Sequence, residues 1–345
     1  MKAKQILANL KAVLVMSALW LTGNLVGANI IEGGTVIEGS RERTFRNDGP
    51  PLSGTTQGTL AGAAPPGSLL RDVTSNVLYQ NEGTLASPYW TPVAYDQRGL
   101  MGYFADFRDE VGKALADTAA SVVLAGSGIR VFGQGVEVNG DSGLTVAQVA
   151  EVGPVATVQA TNQAEHLTAL SFGDTTAMWQ PDTHGPLIID IECAQLTDLA
   201  DRAFFVGFLG AVADALDPCV TGSGTTITLV QDDLAGVVMD SGLTDAAGLM
   251  LVHNKSNAAA SIDTVTDTEV DLAVDVPAAG TYARYRVQIA ADGDMTIFKD
   301  KVEVGFQAIA LDIDEECQPV AYVEAQTTTA KAMTVKTLAM YATRP

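Results

Sequence analysis

Aromatic residues and charged residues are both scarce in this sequence. They make up 6% and 18% of the 345 residues, whereas hydrophobic residues make up 47%. A chain with so much apolar and so little charged content can bury a large core, which excludes intrinsic disorder as the default state. The length fits two structural units.

Positive charge is scarcer still. The chain has 20 Lys and Arg against 41 Asp and Glu, a formal net charge of −21. Such a body repels nucleic-acid phosphates, so no nucleic-acid partner is expected. Residues 1–50 differ, with six basic and four acidic side chains, a net charge of +2 that leaves −23 for the rest. A basic arm suits docking onto an acidic partner, and an ordinary fluctuation of charge is the alternative.

The cysteines are too few and too dispersed for a framework. Cys193, Cys219 and Cys317 lie far apart, without a Cys-x-x-Cys pair. This spacing indicates neither a zinc site nor a full set of disulfides. We predict buried free thiols and assembly in a reducing cytoplasm, although one disulfide plus one free thiol fits the same count.

Motifs for catalysis and for metal binding are also missing. The three histidines are isolated, without His-x-x-x-His or nucleophile-elbow spacing. The acidic clusters at 214–217, 232–233 and 312–316 lack EF-hand spacing and are typical of solvated loops. We therefore predict a protein that is not an enzyme and binds no cofactor or metal. A glycosidase, which needs two carboxylates a few ångströms apart, stays open as an alternative.

The first 28 residues allow two interpretations. Lys2, Lys4 and Lys11 followed by the apolar run 12–21 have the layout of a secretory signal peptide, cleaved after Ala28. The alternative, which we expect, is a retained helix that anchors the chain to another subunit and is too short to span a membrane. The apolar residues expected to make that contact are Ile6, Leu7, Leu10, Leu14 and Trp20.

The middle of the chain predicts an arm, a small module and a helical linker. Residues 29–67 are rich in Gly, Thr, Ser and Pro, so 1–67 is interpreted as the anchoring helix and an extended arm. Residues 68–94 predict a small β-hairpin module, and 95–153 predict a helix, within 95–128, and linking strands. A unit as small as 68–94 needs partners, so we expect a homo-oligomer, preferably a trimer, contacted through Leu69, Tyr79 and Trp90.

From residue 129 onward, short strand-like runs are separated by Gly, Asp and Asn. Many short strands at such spacing predict an antiparallel β-sandwich over 154–345 and a mainly β fold class. The clearest hairpin spans 282–298, where Asp292-Gly293 supplies the turn. Arg284, Arg286 and Gln288 are predicted to share one face of its first strand.

Two sets of motifs carry a family resemblance. The motifs GTLAGAAPPGSLL (58–70), NVLYQN (76–81) and ASPYWT (86–91) resemble a hairpin that recurs in bacteriophage virion structural proteins of the capsid-decoration, head-fibre and minor-capsid type. AFFVGFL (203–209), GTYARYR (280–286) and KAMTVK (331–336) resemble concanavalin-like jelly rolls of the laminin-G type. Together the two regions cover about three-quarters of the chain.

The resemblance implies a non-catalytic structural role in a phage particle assembled in the host cytoplasm. The implied partners are the major capsid protein or other virion proteins, bound through the N-terminal region. Two alternatives stay open: a carbohydrate-binding receptor module at a tail tip, which would bind a host-surface glycan, and a secreted bacterial surface protein or glycan hydrolase. No stretch reproduces the calcium and sugar loop of related lectins.

Overall fold

A computed structural model gives the structure of the protein. It describes residues 28–30, 36–38, 44–94, 99–112, 114–116, 122–123, 129–133, 143–160, 166–172, 179–196, 198–210, 218–231, 233–255, 260–263 and 271–344. Within these ranges strands are the main secondary structure and helix is scarce.

The described strands follow one another through the whole chain. The N-terminal strands are β1 (Ala28–Ile30), β2 (Val36–Glu38), β3 (Thr44–Asn47), β4 (Leu69–Asp72), β5 (Leu78–Asn81) and β6 (Trp90–Ala94). The next strands are β7 (Leu100–Ala105), β8 (Ala114–Ala116), β9 (Val122–Val123), β10 (Ile129–Gly133), β11 (Gly143–Val149), β12 (Gly153–Ala160) and β13 (His166–Phe172). The remaining strands are β14 (Leu187–Gln195), β15 (Arg202–Leu209), β16 (Val220–Ser223), β17 (Thr226–Leu229), β18 (Leu234–Asp240), β19 (Gly248–Asn254), β20 (Ala260–Asp263), β21 (Asp271–Asp275), β22 (Ala283–Ile289), β23 (Met295–Lys299), β24 (Val302–Gln307), β25 (Gln318–Ala325) and β26 (Lys331–Thr343). Helical structure is limited here to a 3-10 turn at Arg108–Glu110 and the one-turn helix α1 at Pro181–His184.

Two large antiparallel sheets form the body of the protein. One has eight strands in the order β21-β19-β18-β15-β25-β13-β10-β9. The other has nine, in the order β24-β23-β22-β14-β26-β12-β11-β8, with β7 also paired to β26. Several neighbours in these orders, such as β15 with β25 and β14 with β26, are distant in sequence, so long-range pairing joins the two ends of the sandwich. The predicted mainly β fold with an antiparallel sandwich is confirmed.

Strand alternation produces the core between the two sheets. Successive side chains of a strand point to opposite faces, so one face can be apolar and the other polar. On β14, Ile189 and Ile191 enter the core while Asp190 lies on the outer face. Phe204 on β15 meets Tyr285 on β22 across the core, with ring centroids 5.3 Å apart. This interleaving of apolar side chains from both sheets is the main source of stability.

A three-stranded sheet, β16-β17-β20, covers the outer face of the eight-stranded sheet. Ile227 and Leu229 of β17 pack with Phe205 in a second apolar cluster. The carboxylate of Asp240 fixes this attachment, because it accepts hydrogen bonds from the backbone N–H groups of Gly222 at 2.6 Å and Gly242 at 2.8 Å. A side chain at Gly222 would clash with that carboxylate, since a Cβ there would lie 2.7 Å from its Cγ.

A four-stranded sheet, β3-β4-β5-β6, covers part of the outer face of the nine-stranded sheet. The predicted strands of the 68–94 module are present as β4, β5 and β6, and β3 adds to β4 in parallel. Tyr79 and Trp90 pack on Ile188 and Tyr341 of the sandwich. The apolar face that was expected to need another chain is therefore covered by this chain's own sandwich.

The helix predicted within 95–128 is wrong for the described residues of that segment. Residues 100–105 form β7, which pairs with the distant strand β26, and 114–116 form β8. The apolar spacing of Phe104, Phe107 and Val111 imitates a helical period, but the open edge of β26 determines the conformation. Because β7, β8 and β11 belong to the nine-stranded sheet, the sandwich uses strands that precede residue 154.

Several other predictions can be compared with the described residues. The hairpin at 282–298 is confirmed as β22 and β23, with Gly293 at a φ of 84° in the turn. All three cysteines are buried and free, as predicted. In the part of the chain that the structure describes, there is no helix with the length and apolar character of a membrane span. The anchoring helix expected near the N-terminus lies outside the described residues.

Candidate functional site

A groove of about 480 Å³ opens on the outer face of the nine-stranded sheet, beside the four-stranded sheet. Strands β6, β7, β14, β22 and β26 contribute its walls and floor. The residues that line it are Thr91, Pro92, Phe104, Ala105, Asp106, Asp190, Glu192, Arg284, Arg286, Thr337, Leu338, Ala339 and Tyr341.

The polar floor follows from the pairing of β14 with β22. Asp190 lies opposite Arg286, and Glu192 lies opposite Arg284. Because residues two apart on a strand share a face, both carboxylates and both guanidinium groups point outward into the groove. Cross-strand pairs of opposite charge stabilise a sheet, so this register is favoured by the charges themselves.

Asp190 is the centre of a buried charge network. Its Oδ1 accepts a hydrogen bond from Arg284 Nε at 2.7 Å, and its Oδ2 accepts from Arg286 Nε at 2.7 Å. Oδ2 also accepts from Arg284 Nη2 at 3.1 Å and from the Tyr89 hydroxyl at 2.6 Å. Burial alone would raise the pKa of Asp190, but the charges of Arg286 and Arg284 and the hydrogen bonds to the carboxylate outweigh burial and lower that pKa below its ordinary value.

Arg286 links the sandwich to the four-stranded sheet. Its side chain is 1% exposed, and its Nη1 donates hydrogen bonds to the carbonyl of Trp90 at 2.8 Å and to Ser53 Oγ at 3.3 Å. Its guanidinium carbon lies 3.7 Å from the centroid of the Tyr89 ring. An arginine held by a carboxylate, a carbonyl and an aromatic face has a fixed orientation, so it forms a rigid edge of the groove.

A second ion pair lies nearer the solvent. Lys336 Nζ is 3.0 Å from Glu192 Oε1, and the two side chains are 29% and 31% exposed. The register of β14 with β26 shifts between Glu192 and Cys193, so that Glu192 pairs with Thr337 and Cys193 with Val335. Because of this β-bulge, Lys336 has no backbone partner on β14, and its side chain points toward Glu192. Lys336 Nζ also lies 4.0 Å from the centroid of the Tyr282 ring.

An aromatic wall faces this polar floor. The rings of Phe104 and Tyr341 are stacked, with centroids 5.2 Å apart and an interplanar angle of 24°. Phe104 is 36% exposed, whereas Tyr341 is buried, and burial raises the pKa of Tyr341 to about 12. Gly102 lies opposite Tyr341, and a Cβ at Gly102 would be 2.6 Å from the Tyr341 Cβ. Glycine therefore makes room for the ring that supports Phe104.

Two of the three carboxylates that line the groove lie on the same strand, β14. Asp190 and Glu192 are two residues apart on one strand face, about 6.5–7 Å along the strand. That separation is within the range of about 6.5–9.5 Å used by inverting glycosidases. Such an enzyme needs one carboxyl group with a raised pKa, and the lowered pKa of Asp190 does not suit it to that role.

The described contact residues predicted from sequence, Leu69, Tyr79 and Trp90, do not line this groove. Ile6, Leu7, Leu10, Leu14 and Trp20 lie outside the described residues. Leu69 is half-buried, while Tyr79 and Trp90 are buried against the sandwich. The Trp90 indole Nε1 donates to the carbonyl of Thr59 at 3.0 Å. Tyr79 and Trp90 are therefore packed inside this chain, in the cluster shared with the sandwich.

Sequence reasoning identified half of the charge network. It predicted that Arg284 and Arg286 share a face, and the structure confirms this. It missed Asp190 and Glu192, although each interrupts an otherwise apolar strand, which is a signal for a paired charge. The acidic cluster at 214–217 lies outside the described residues. Within the described part of the chain, no group of three His, Cys, Asp or Glu is placed to hold a metal ion.

The chain has been compared with known protein families, curated sequences and solved structures. No known protein family and no curated protein sequence matches the chain. Among solved structures, the carbohydrate recognition domain of Emp47p is 9% identical over 73% of this chain and 100% of that one, with a TM-score of 0.42. Peanut lectin is 9% identical over 70% and 97%, with a TM-score of 0.40. A Bacillus licheniformis beta-glucanase is 8% identical over 69% and 97%, with a TM-score of 0.37.

These solved structures are named as a carbohydrate recognition domain, a lectin and a glucanase. The identities and TM-scores are too low to transfer a ligand to this chain. Any assignment of function therefore depends on the groove.

Proposed function

We propose that this chain is a non-catalytic adhesive module that binds a saccharide in the groove of the nine-stranded sheet. The observation that carries the proposal is the aromatic wall of Phe104 and Tyr341 beside the charged pairs of the floor. A sugar ring has an apolar face, which packs on an aromatic side chain, and hydroxyl groups that both donate and accept hydrogen bonds. Binding sites for small ligands combine an apolar lining with a few placed polar groups in this way.

The fixed charges are suited to hydroxyl groups. Glu192 offers carboxylate oxygens as acceptors, and Lys336 offers ammonium protons as donors. Hydrogen bonds to charged groups are about twice as strong as neutral ones. Because Asp190 and Arg286 are immobilised by their own contacts, the floor loses little conformational freedom when a ligand binds.

The Phe104→Ala variant tests the proposal. We expect it to weaken saccharide binding about tenfold, since truncation removes an aromatic surface whose burial contributes on the order of 1.5 kcal/mol. A glycan array followed by isothermal titration calorimetry measures the effect. Phe306→Ala is the matched control, because Phe306 is a half-buried phenylalanine on β24, at an edge of the same sheet and outside the groove. Equal affinities of the Phe104→Ala variant and the unaltered protein would contradict the proposal.

The same oligosaccharides test the absence of catalysis. The bound saccharide should be recovered intact after prolonged incubation, because the lowered pKa of Asp190 does not suit it to a general acid's role and Glu192 is ion-paired with Lys336. Chromatography of the mixture detects cleavage. Cleavage that is lost in Glu192→Gln would make the groove an active site instead.

The proposal includes display on a virus particle, with attachment through the N-terminal region. Its support is the resemblance of residues 58–91 and of the jelly-roll motifs to phage virion proteins. We expect deletion of residues 1–28 to abolish incorporation into particles while the remaining chain stays folded. Labelled intact particles and purified truncated protein provide the measurements. Normal incorporation of the truncated chain would contradict the anchoring role.

A further inference from the structure

We infer that the saccharide bound in this groove is neutral and carries no carboxylate, sulfate or amino group. The inference rests on the proposed saccharide site and specifies its ligand class. It depends on how the charges that line the groove are already paired, and on the charge of the body around the groove.

Each carboxylate that lines the groove has a cation partner at 3.0 Å or less. Asp190 pairs with Arg284 and Arg286, and Glu192 pairs with Lys336. Asp106, at the rim, pairs with Arg108 at 2.9 Å. The groove is therefore close to electrical neutrality, although the whole chain has a net charge of −21.

An anionic sugar is disfavoured by the arginines' existing contacts. It would have to compete with Asp190 for Arg284 and Arg286, but Asp190 is 2% exposed and accepts hydrogen bonds from both arginines and from Tyr89. Breaking these pairs would leave a buried carboxylate without its partners, which is strongly unfavourable. The acidic body adds repulsion of any polyanion that approaches the groove.

A cationic sugar is disfavoured near Glu192. Glu192 is more exposed than Asp190, but its carboxylate has Lys336 at 3.0 Å, and Arg284 occupies the paired position on β22. An amino sugar that approached Glu192 would meet both of those positive charges. Proteins often gain specificity by placing a charge that repels the wrong ligand.

Neutral hydroxyl groups avoid both penalties. A carboxylate has about four acceptor sites and an ammonium group three donors, so Glu192 and Lys336 can bind hydroxyls while their ion pair stays intact. Thr337, in the same groove, adds a hydroxyl that both donates and accepts. The ligand class that uses every group without breaking a pair is the neutral saccharide.

The test is an array of neutral, uronate-containing or sulfated, and amino-sugar oligosaccharides, probed with the full chain, Phe104→Ala and Phe306→Ala. We expect neutral oligosaccharides to bind and to lose about tenfold in affinity in Phe104→Ala alone. For each ligand that binds, calorimetry at 0.05 and 0.5 M NaCl gives a second readout, because charge-dependent binding is screened by salt. Neutral binding should change by less than about twofold between the two salt concentrations.

The outcomes separate the two proposals. Binding of anionic or cationic oligosaccharides that depends on Phe104 and weakens in salt would overturn neutrality while the saccharide site stands. Binding that Phe104→Ala leaves unchanged, or no binding by any class, would overturn the saccharide site itself and this inference with it.

Discussion

Replacement of Asp190 by alanine is expected to lower the free energy of unfolding by about 3–5 kcal/mol. The substitution leaves Arg286, which is 1% exposed, without its carboxylate, and it removes the acceptor of the Tyr89 hydroxyl. A buried charge that loses its partner keeps its desolvation cost and loses the compensating attraction. Urea unfolding, followed by tryptophan fluorescence, measures the change.

Glu192→Gln is the control for this prediction. Glu192 lies two residues away on the same strand, but its pair with Lys336 is about one-third exposed, and such pairs contribute about 0–1 kcal/mol. If Asp190→Ala and Glu192→Gln had equally small effects, the buried network would not be the structural centre of the groove.

If Asp190→Ala does not fold, a double variant still tests whether an unpaired buried charge causes the loss of stability. Asp190→Leu with Arg286→Met replaces the buried pair by apolar side chains of similar size. Such replacements of a buried ion pair are often neutral or stabilising, so the double variant should be more stable than Asp190→Ala. A double variant as unstable as the single one would show that the loss comes from altered packing and not from an unpaired charge.

The contribution of Asp190 to folding stability should depend on pH. The arginines hold the folded-state pKa of Asp190 below its unfolded value of about 3.9. The folded state therefore binds fewer protons than the unfolded state, and stability from this group is present above that value and is lost as pH falls through the folded pKa. The stability difference between the unaltered protein and Asp190→Ala should narrow below about pH 4. A difference that stayed constant down to pH 2 would contradict an ionised Asp190.

Sequence periodicity predicted individual strands of this protein better than it predicted how the strands pair. The alternation in β22 was sufficient to place Arg284 and Arg286 on one face, because side-chain direction depends only on position in the strand. Their partner Asp190 is 94 residues away from Arg284, and its identity depends on the register of β14 with β22. Register is determined by packing across the whole sheet, so the candidate site could be predicted only in part.

The wrong prediction of a helix within residues 95–128 also comes from pairing between strands that are distant in sequence. Phe104 repeats with Phe107 at a helical interval, yet β7 is a strand because β26 presents an open edge nearly at the other end of the chain. That pairing also brings Phe104 against Tyr341 and so builds the aromatic wall of the groove. The segment that sequence reasoning misassigned is thus the segment that supplies the proposed sugar platform.

The four-stranded sheet should contribute both to stability and to saccharide binding. We expect Trp90→Ala to lower the free energy of unfolding by about 3–5 kcal/mol, the usual cost of removing a large buried aromatic side chain. Trp90 is 1% exposed and contacts the sandwich through the cluster that contains Ile188 and Tyr341. Thr91 and Pro92, which follow it on β6, line the groove, so saccharide affinity should fall as well. Urea unfolding and calorimetric titration measure the two effects.

Leu85→Ala is the matched control, because Leu85 belongs to the same region but is 47% exposed, and surface substitutions usually change stability by less than about 0.5 kcal/mol. If Trp90→Ala instead produced a separate early transition while the sandwich and its saccharide affinity stayed unchanged, residues 68–94 would unfold as a unit separate from the sandwich. A single cooperative transition shifted to lower urea would show that this sheet and the sandwich fold as one unit, since their shared cluster and the Arg286 contacts with Trp90 couple them.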